Sequence, residues 1–319
     1  MDATQWAGMS AAPSSTPLSA PLGPAPSDHW IATAHGRLFA RRWAAGPAPC
    51  PEASAPPPIV LFHDSLGCVD LWREFPAVLC RTTGRGVIAY DRLGFGRSDA
   101  RTGLLPRDFV EDEARTSLPA LRAHFNVQRF VALGHSVGGG MAAHCAATRG
   151  TPGDDAGGAA GSDCDALITI AAQACVEERT LQGIREAREQ FNQPGALERL
   201  ARYHGADQAR WVLSAWVDTW LHPGFADWSL AEAMARVTCP VLALHGERDE
   251  YGSTEQPERI ARWAAGPARV DILPGVAHVP HREQPDAVAQ RIAGFLAGLP
   301  AGPADGTGHP PQQPPSTPG

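Results

Sequence analysis

Several short stretches of the chain are apolar almost without a polar break. They are Ile59 to His63, Val87 to Asp91, Phe130 to Gly134, Leu167 to Ala171, Val241 to His245 and Val270 to Leu273. A strand with one face in water alternates apolar and polar residues, whereas a strand covered on both faces has no reason to. These stretches therefore predict the buried strands of a parallel sheet, with Leu38 to Trp43 as an edge strand. Helical spacings fill 72–83, 108–124, 137–149, 254–265 and 285–298. Strand–helix alternation of this kind predicts an α/β fold with a doubly wound, mostly parallel sheet.

The rhythm breaks once. From 176 to 236 no strand-like run occurs, and Trp211, Trp216, Trp220 and Trp228 crowd in among Leu and Val at helical spacings. This predicts a helical insertion over a pocket, with its own small core and with Trp216 and Trp220 as candidates to face a ligand. The core of the fold is then 29–175 together with 237–299. Residues 1–28 are rich in Ser, Pro and Ala and 300–319 in Pro and Gly, which predicts disordered tails. Residues 150–163 (GTPGDDAGGAAGSD) predict a flexible surface loop.

Composition narrows the function classes. The formal net charge is −7 across 319 residues, which argues against a nucleic-acid partner. All 27 basic residues are Arg, so Schiff-base lysine chemistry is excluded. The 7 cysteines are scattered and never form C-x-x-C, so reduced core thiols are expected rather than a zinc site or a disulfide framework. With neither a basic-then-apolar N-terminal signal nor a run of about 18 apolar residues, a cytoplasmic protein without a membrane partner is expected. The expected partner is a small-molecule substrate, and self-association into a homo-oligomer stays open.

The chemistry begins at Gly134-His135-Ser136-Val137-Gly138, where an apolar strand runs into an Ala-rich helix. Gly-x-Ser-x-Gly at such a junction forces strained angles on the serine and lifts its hydroxyl above the sheet. The nitrogen of the next residue, Val137, points from a helix N-terminus, where a developing negative charge is stabilised. A serine needs a base and a group that orients the base. Two later strand ends supply them, Gly246-Glu247-Arg248-Asp249-Glu250 and Gly275-Val276-Ala277-His278. The C-terminal ends of parallel strands are where an open α/β sheet builds its site. Glu247 and Glu250 compete with Asp249 for the acidic role, and His281 competes with His278 for the base.

These loops, together with His63 at a strand end and Tyr90-Asp91-Arg92-Leu93-Gly94-Phe95-Gly96-Arg97-Ser98, resemble α/β-hydrolase-fold serine hydrolases with a helical cap, over about residues 35 to 298. The resemblance implies Ser136 as nucleophile, His278 as general base and then acid, and Asp249 as the residue orienting His278. It also implies an oxyanion hole from the nitrogens of Val137 and Ser65, with Leu66 as the fallback donor. Here the chain departs from the family pattern, because Asp64 replaces the usual glycine of His-Gly-x. Asp tolerates left-handed backbone angles better than most residues, so the turn is expected to survive. Asp64, Leu66, His135, Trp216 and Trp220 are the candidate pocket residues. The implied activity is hydrolysis of a small hydrophobic carboxylic ester, lactone or thioester through an acyl-enzyme. The alternatives are C–C bond hydrolysis of aromatic ring-fission products, for which Arg185, Arg188 and Arg210 are available carboxylate binders, then a cofactor-free haloperoxidase, an acyltransferase or a ligand receptor. Neither cofactor nor metal is expected.

Overall fold

The computed structural model describes residues 25–46, 55–148 and 163–299. The expected tails, up to residue 24 and from 300, and most of the 150–163 loop lie outside the described residues.

Eight strands form one sheet: β1 (Ser27–Thr33), β2 (Gly36–Trp43), β3 (Ile59–Phe62), β4 (Val87–Tyr90), β5 (Phe130–His135), β6 (Cys164–Ile170), β7 (Val241–Gly246) and β8 (Ala268–Leu273). Their order across the sheet is β1-β2-β4-β3-β5-β6-β7-β8. The β1–β2 hairpin and the β2–β4 pair are antiparallel, and every later pair is parallel. The edge is thus β1, not the 38–43 segment, and β1 starts at Ser27, inside the stretch expected as tail. At the other edge β8 is buried fully only at Leu273, so its apolar run is covered less than its composition suggests.

The lack of polar alternation in the central strands has a direct cause. Val60 and Phe62 of β3 enter one buried cluster with Ile88, Tyr90 and Ala132, while Ile59 and Leu61 enter a second with Val87, Ala89, Val131 and Leu133. Both pleats are covered. Helices α1 (Phe75–Thr83) and, after the last strand, Pro285–Ala297 pack together over the second cluster. Helices α2 (Phe109–Arg115) and α3 (Ser117–Phe125) lie over the first, where α2 packs on α4 (Val137–Ala147). The helix expected over 108–124 is divided at Thr116, and Pro119, which has no N–H for an i−4 bond, sits in the first turn of the second piece.

Between β6 and β7 the chain inserts α5 (Glu178–Phe191), α6 (Ala196–His204), α7 (Ala206–Trp220) and the short α8 (Ala231–Met234). Ile184, Leu200, Val212, Trp216 and Trp220 of this insertion join the first cluster. It therefore shares the core of the sheet rather than holding a separate one. Burying one such aliphatic side chain contributes about 1.5–3 kcal/mol, so the insertion and the sheet stabilise each other. No helix among the described residues is long and apolar enough to cross a membrane. Among the described residues no disulfide is formed, and Cys50 lies outside them.

Candidate active site

β5 ends at His135, and Ser136 takes φ 55° and ψ −128° before Val137 opens α4. Such angles cost a non-glycine residue about 1–3 kcal/mol and persist only where the surroundings impose them. Here the imposing contact is close packing. A Cβ on Gly134 would meet the Gly138 carbonyl, and one on Gly138 would meet the Phe62 carbonyl. Strand and helix can approach this closely only through glycine, and the turn that results presents the Ser136 hydroxyl at the sheet's C-terminal edge.

Two other strand ends converge on it. Ser136 Oγ lies 3.1 Å from His278 Nε2, and His278 Nδ1 lies 2.8 and 2.9 Å from the two Asp249 carboxylate oxygens. Asp249 Oδ1 also accepts from the Tyr251 and Gly252 nitrogens at 2.7 and 3.1 Å. Burial acts to raise the Asp249 pKa, but the adjacent His278 and His245 rings and these N–H donors hold it below the ordinary value. For His278 burial acts against the cation, and the charge and hydrogen bond of Asp249 reverse the sign, so its pKa is raised. Both shifts favour a carboxylate bound to a basic imidazole. Glu247 instead accepts from Gly275 N. His281 packs on Trp72 and Phe75, and burial and the His135 ring hold its pKa well below the ordinary value. His245 supports Asp249 at 3.4 Å while its Nε2 faces the Gly252 carbonyl.

Opposite the serine, the turn at 63–67 is fixed by a polar network. The Asp64 carbonyl accepts from His63 Nδ1 and Arg92 Nη2, both at 2.8 Å, and from Gly67 N at 3.1 Å. Leu66 N donates to Asp64 Oδ1 at 2.9 Å, so the fallback donor is already engaged. The Ser65 and Val137 nitrogens have no acceptor among the described residues. Asp64 does not adopt a left-handed angle, contrary to the reason expected for its presence. Its carboxylate acts as an acceptor inside the turn instead. Burial raises its pKa, and the His135 hydrogen bond and charge, with Arg282 and His63, bring it far below the ordinary carboxylate range.

A cavity of about 380 Å³, counted out to its mouth, opens beside Ser136 and His278. Asp64, Ser65, Leu66, Trp216 and Trp220 line it. His135 does not; its ring is buried behind the serine, between Trp72, His278 and His281. The sequence reading missed Gln173, whose Oε1 lies 3.3 Å from Ser136 Oγ, and Thr180, Ile184 and Tyr251 on the cavity wall. A signal for Gln173 existed, since it is the first polar residue after the apolar run of β6. Ala171, with φ 49°, turns the chain there. His204 of α6 was also missed. Its Nδ1 accepts from Gly96 N at 2.8 Å and its Nε2 donates to the Leu66 carbonyl at 3.1 Å, which ties the insertion to the turn.

The profile of the alpha/beta hydrolase fold matches residues 57–209, which take in this turn, the elbow and most of the insertion. This chain has the α/β hydrolase fold. Among proteins sharing stretches with this α/β-hydrolase-fold chain is a human 1-acylglycerol-3-phosphate O-acyltransferase, 36% identical over 86 residues, which are 27% of this chain and 24% of that protein. Another is a (lyso)-N-acylphosphatidylethanolamine lipase of Bos taurus, 38% identical over 94 residues, 29% of this chain and 26% of the lipase. The matched part thus spans about a quarter of each relative's length. A putative lipase structure from Acinetobacter baumannii superposes with a TM-score of 0.67 at 19% identity, covering 86% of this chain and 92% of that one. At that identity the likeness speaks for the hydrolase fold alone.

Proposed function

We propose that the protein is a serine hydrolase that cleaves a small hydrophobic carboxylic ester, lactone or thioester through an acyl-enzyme. The observation that carries the reading is the unbroken line from Ser136 Oγ through His278 to Asp249, at 3.1 and 2.8 Å, opening on the cavity. His278 Nε2 takes the hydroxyl proton as Ser136 attacks the carbonyl carbon, and Asp249 holds the ring in the required tautomer. The oxyanion is received by the Val137 and Ser65 nitrogens. His278 then gives its proton to the leaving oxygen or sulfur, and a water activated by the same ring releases the acid and restores Ser136.

The helices of 176–236 act as the cap of the acyl pocket, with Ile184, Trp216 and Trp220 as its apolar wall. C–C bond hydrolysis of ring-fission products is disfavoured, because such substrates carry a carboxylate and no Arg is among the described lining residues. Arg185 and Arg188 pair instead with Glu178 and Glu189 on the surface.

The test is a panel of p-nitrophenyl esters of rising chain length with a ring-fission dienoate, run on wild type and Ser136→Ala. Turnover of short esters that is abolished in the variant supports the reading. Wild-type rates no higher than those of Ser136→Ala on every substrate would refute it.

A further inference from the structure

We infer that Asp64 and His135 form a second buried carboxylate–imidazole pair, whose role is to position the oxyanion turn against the loop that carries His278. The inference rests on the hydrolase reading above and adds two residues that touch no reacting atom.

Both His135 ring nitrogens face acceptor oxygens. Nδ1 lies 3.2 Å from Asp64 Oδ2, and Nε2 lies 2.8 Å from the backbone carbonyl of His278. A neutral imidazole carries one N–H, so one of these contacts would set lone pair against lone pair. The pair is satisfied only when it holds one further proton along the Nδ1···Oδ2 contact. Asp64 and His135 are 7% and 1% exposed, so water does not relieve a mismatch.

The other Asp64 oxygen holds Leu66 N at 2.9 Å. One carboxylate therefore does two things: it occupies the neighbouring donor of the turn, leaving the Ser65 N–H for the oxyanion, and it fastens the turn to His135. His135 in turn grips the His278 carbonyl oxygen, three bonds from the Cβ that carries the catalytic ring. The chain passes in this way from the turn to the base through side chains 71 and 143 residues apart in sequence. A glycine at 64 would leave the turn without this tie. Ground-state binding does not need it, but alignment of the Ser65 N–H with a tetrahedral oxyanion does, and a misplaced donor of this kind costs up to about 10²-fold in rate.

The experiment compares Asp64→Ala, Asp64→Ser, Asp64→Asn, His135→Phe and the double variant Asp64→Ala/His135→Phe, with active sites titrated by a fluorophosphonate. Asp64→Asn preserves the pattern without the extra proton, since Oδ1 still accepts from Leu66 N while Nδ2 donates to His135 Nδ1. Expected are a kcat loss of about 10- to 100-fold for Asp64→Ala and His135→Phe with KM within threefold, and a double variant no worse than either single. Asp64→Asn should recover kcat to within about fivefold. Asp64→Ser, which can cap Leu66 N but cannot reach His135, should resemble Asp64→Ala and carries the comparison if the alanine variant does not fold. Wild-type kcat in Asp64→Ala or Asp64→Ser, an Asn variant as impaired as Ala, or losses that multiply in the double variant would overturn the inference. Apart from activity, proton NMR at neutral pH should show two exchange-protected, hydrogen-bonded protons for the pair that vanish in His135→Phe. Only one such proton would also overturn it. A wild type that cleaves no ester yet shows both protons would contradict the hydrolase reading and leave the pair standing.

Discussion

The His204 contacts make a quantitative prediction about acid. Its Nδ1 must be unprotonated to accept from Gly96 N, and its Nε2–H is given to the Leu66 carbonyl. Burial, opposed by the Leu66 hydrogen bond and the Asp64 charge, lowers its pKa from 6.5 to about 4. Below pH 6.5 the unfolded chain therefore binds a proton that the folded chain refuses, so stability is complete above 6.5 and is lost as the pH falls toward 4. The limiting loss for a shift of this size is about 3.4 kcal/mol, and about 2 kcal/mol of it falls between pH 7.5 and pH 5. His63, His245 and His281 are also shifted downward and contribute with the same sign. Urea unfolding of wild type and His204→Gln at both pH values isolates the single ring, because the variant keeps the other three. The stability advantage of wild type over the variant should shrink by about 2 kcal/mol at pH 5. An advantage constant within about 0.5 kcal/mol would refute the assigned tautomer and the latch between α6 and the turn.

Further predictions concern the site. Asp249→Asn should lower kcat by about 10⁴-fold in ester assays while leaving KM nearly unchanged, because His278 loses the acceptor that sets its tautomer. The raised His278 pKa places the ascending limb of the wild-type kcat/KM profile above pH 6.5, since the base must be neutral to act; a midpoint well below 6.5 would contradict this. Ile184→Ala should move the preferred p-nitrophenyl ester to a longer acyl chain, at a stability cost of about 2–5 kcal/mol measured by thermal unfolding. Gly138→Ala drives a methyl into the Phe62 carbonyl and should prevent accumulation of folded protein, or lower its stability by more than about 3 kcal/mol, as read by circular dichroism.

What the sequence revealed and what it concealed follow from the range of the interactions. The central strands were legible because both pleats are buried, and Ser136, Asp249 and His278 because each sits just past such a strand. β1 escaped notice because its pairing is confined to its hairpin partner, and exposed residues interrupt its short apolar pattern. Asp64 is placed at the pocket by the sequence, but the use of its carboxylate inside the turn is visible only once Leu66 N and His135 lie beside it. Gln173 stood at a legible position just past β6, though not its contact with Ser136 37 residues away. His204 lies inside a helix with partners 108 and 138 residues away, and no strand end marks it. Trp216 and Trp220 turned out to serve the cavity and the shared core together, so a choice between the two roles was never required.

The central claim is that Ser136 is a nucleophile activated by His278. Incubation of the full chain with a fluorophosphonate, followed by peptide mass spectrometry, tests it without knowledge of the substrate. The expected result is stoichiometric modification of Ser136, absent in Ser136→Ala and strongly slowed in His278→Ala. An unmodified Ser136 in folded wild-type protein, or labelling that persists undiminished in His278→Ala, would contradict it.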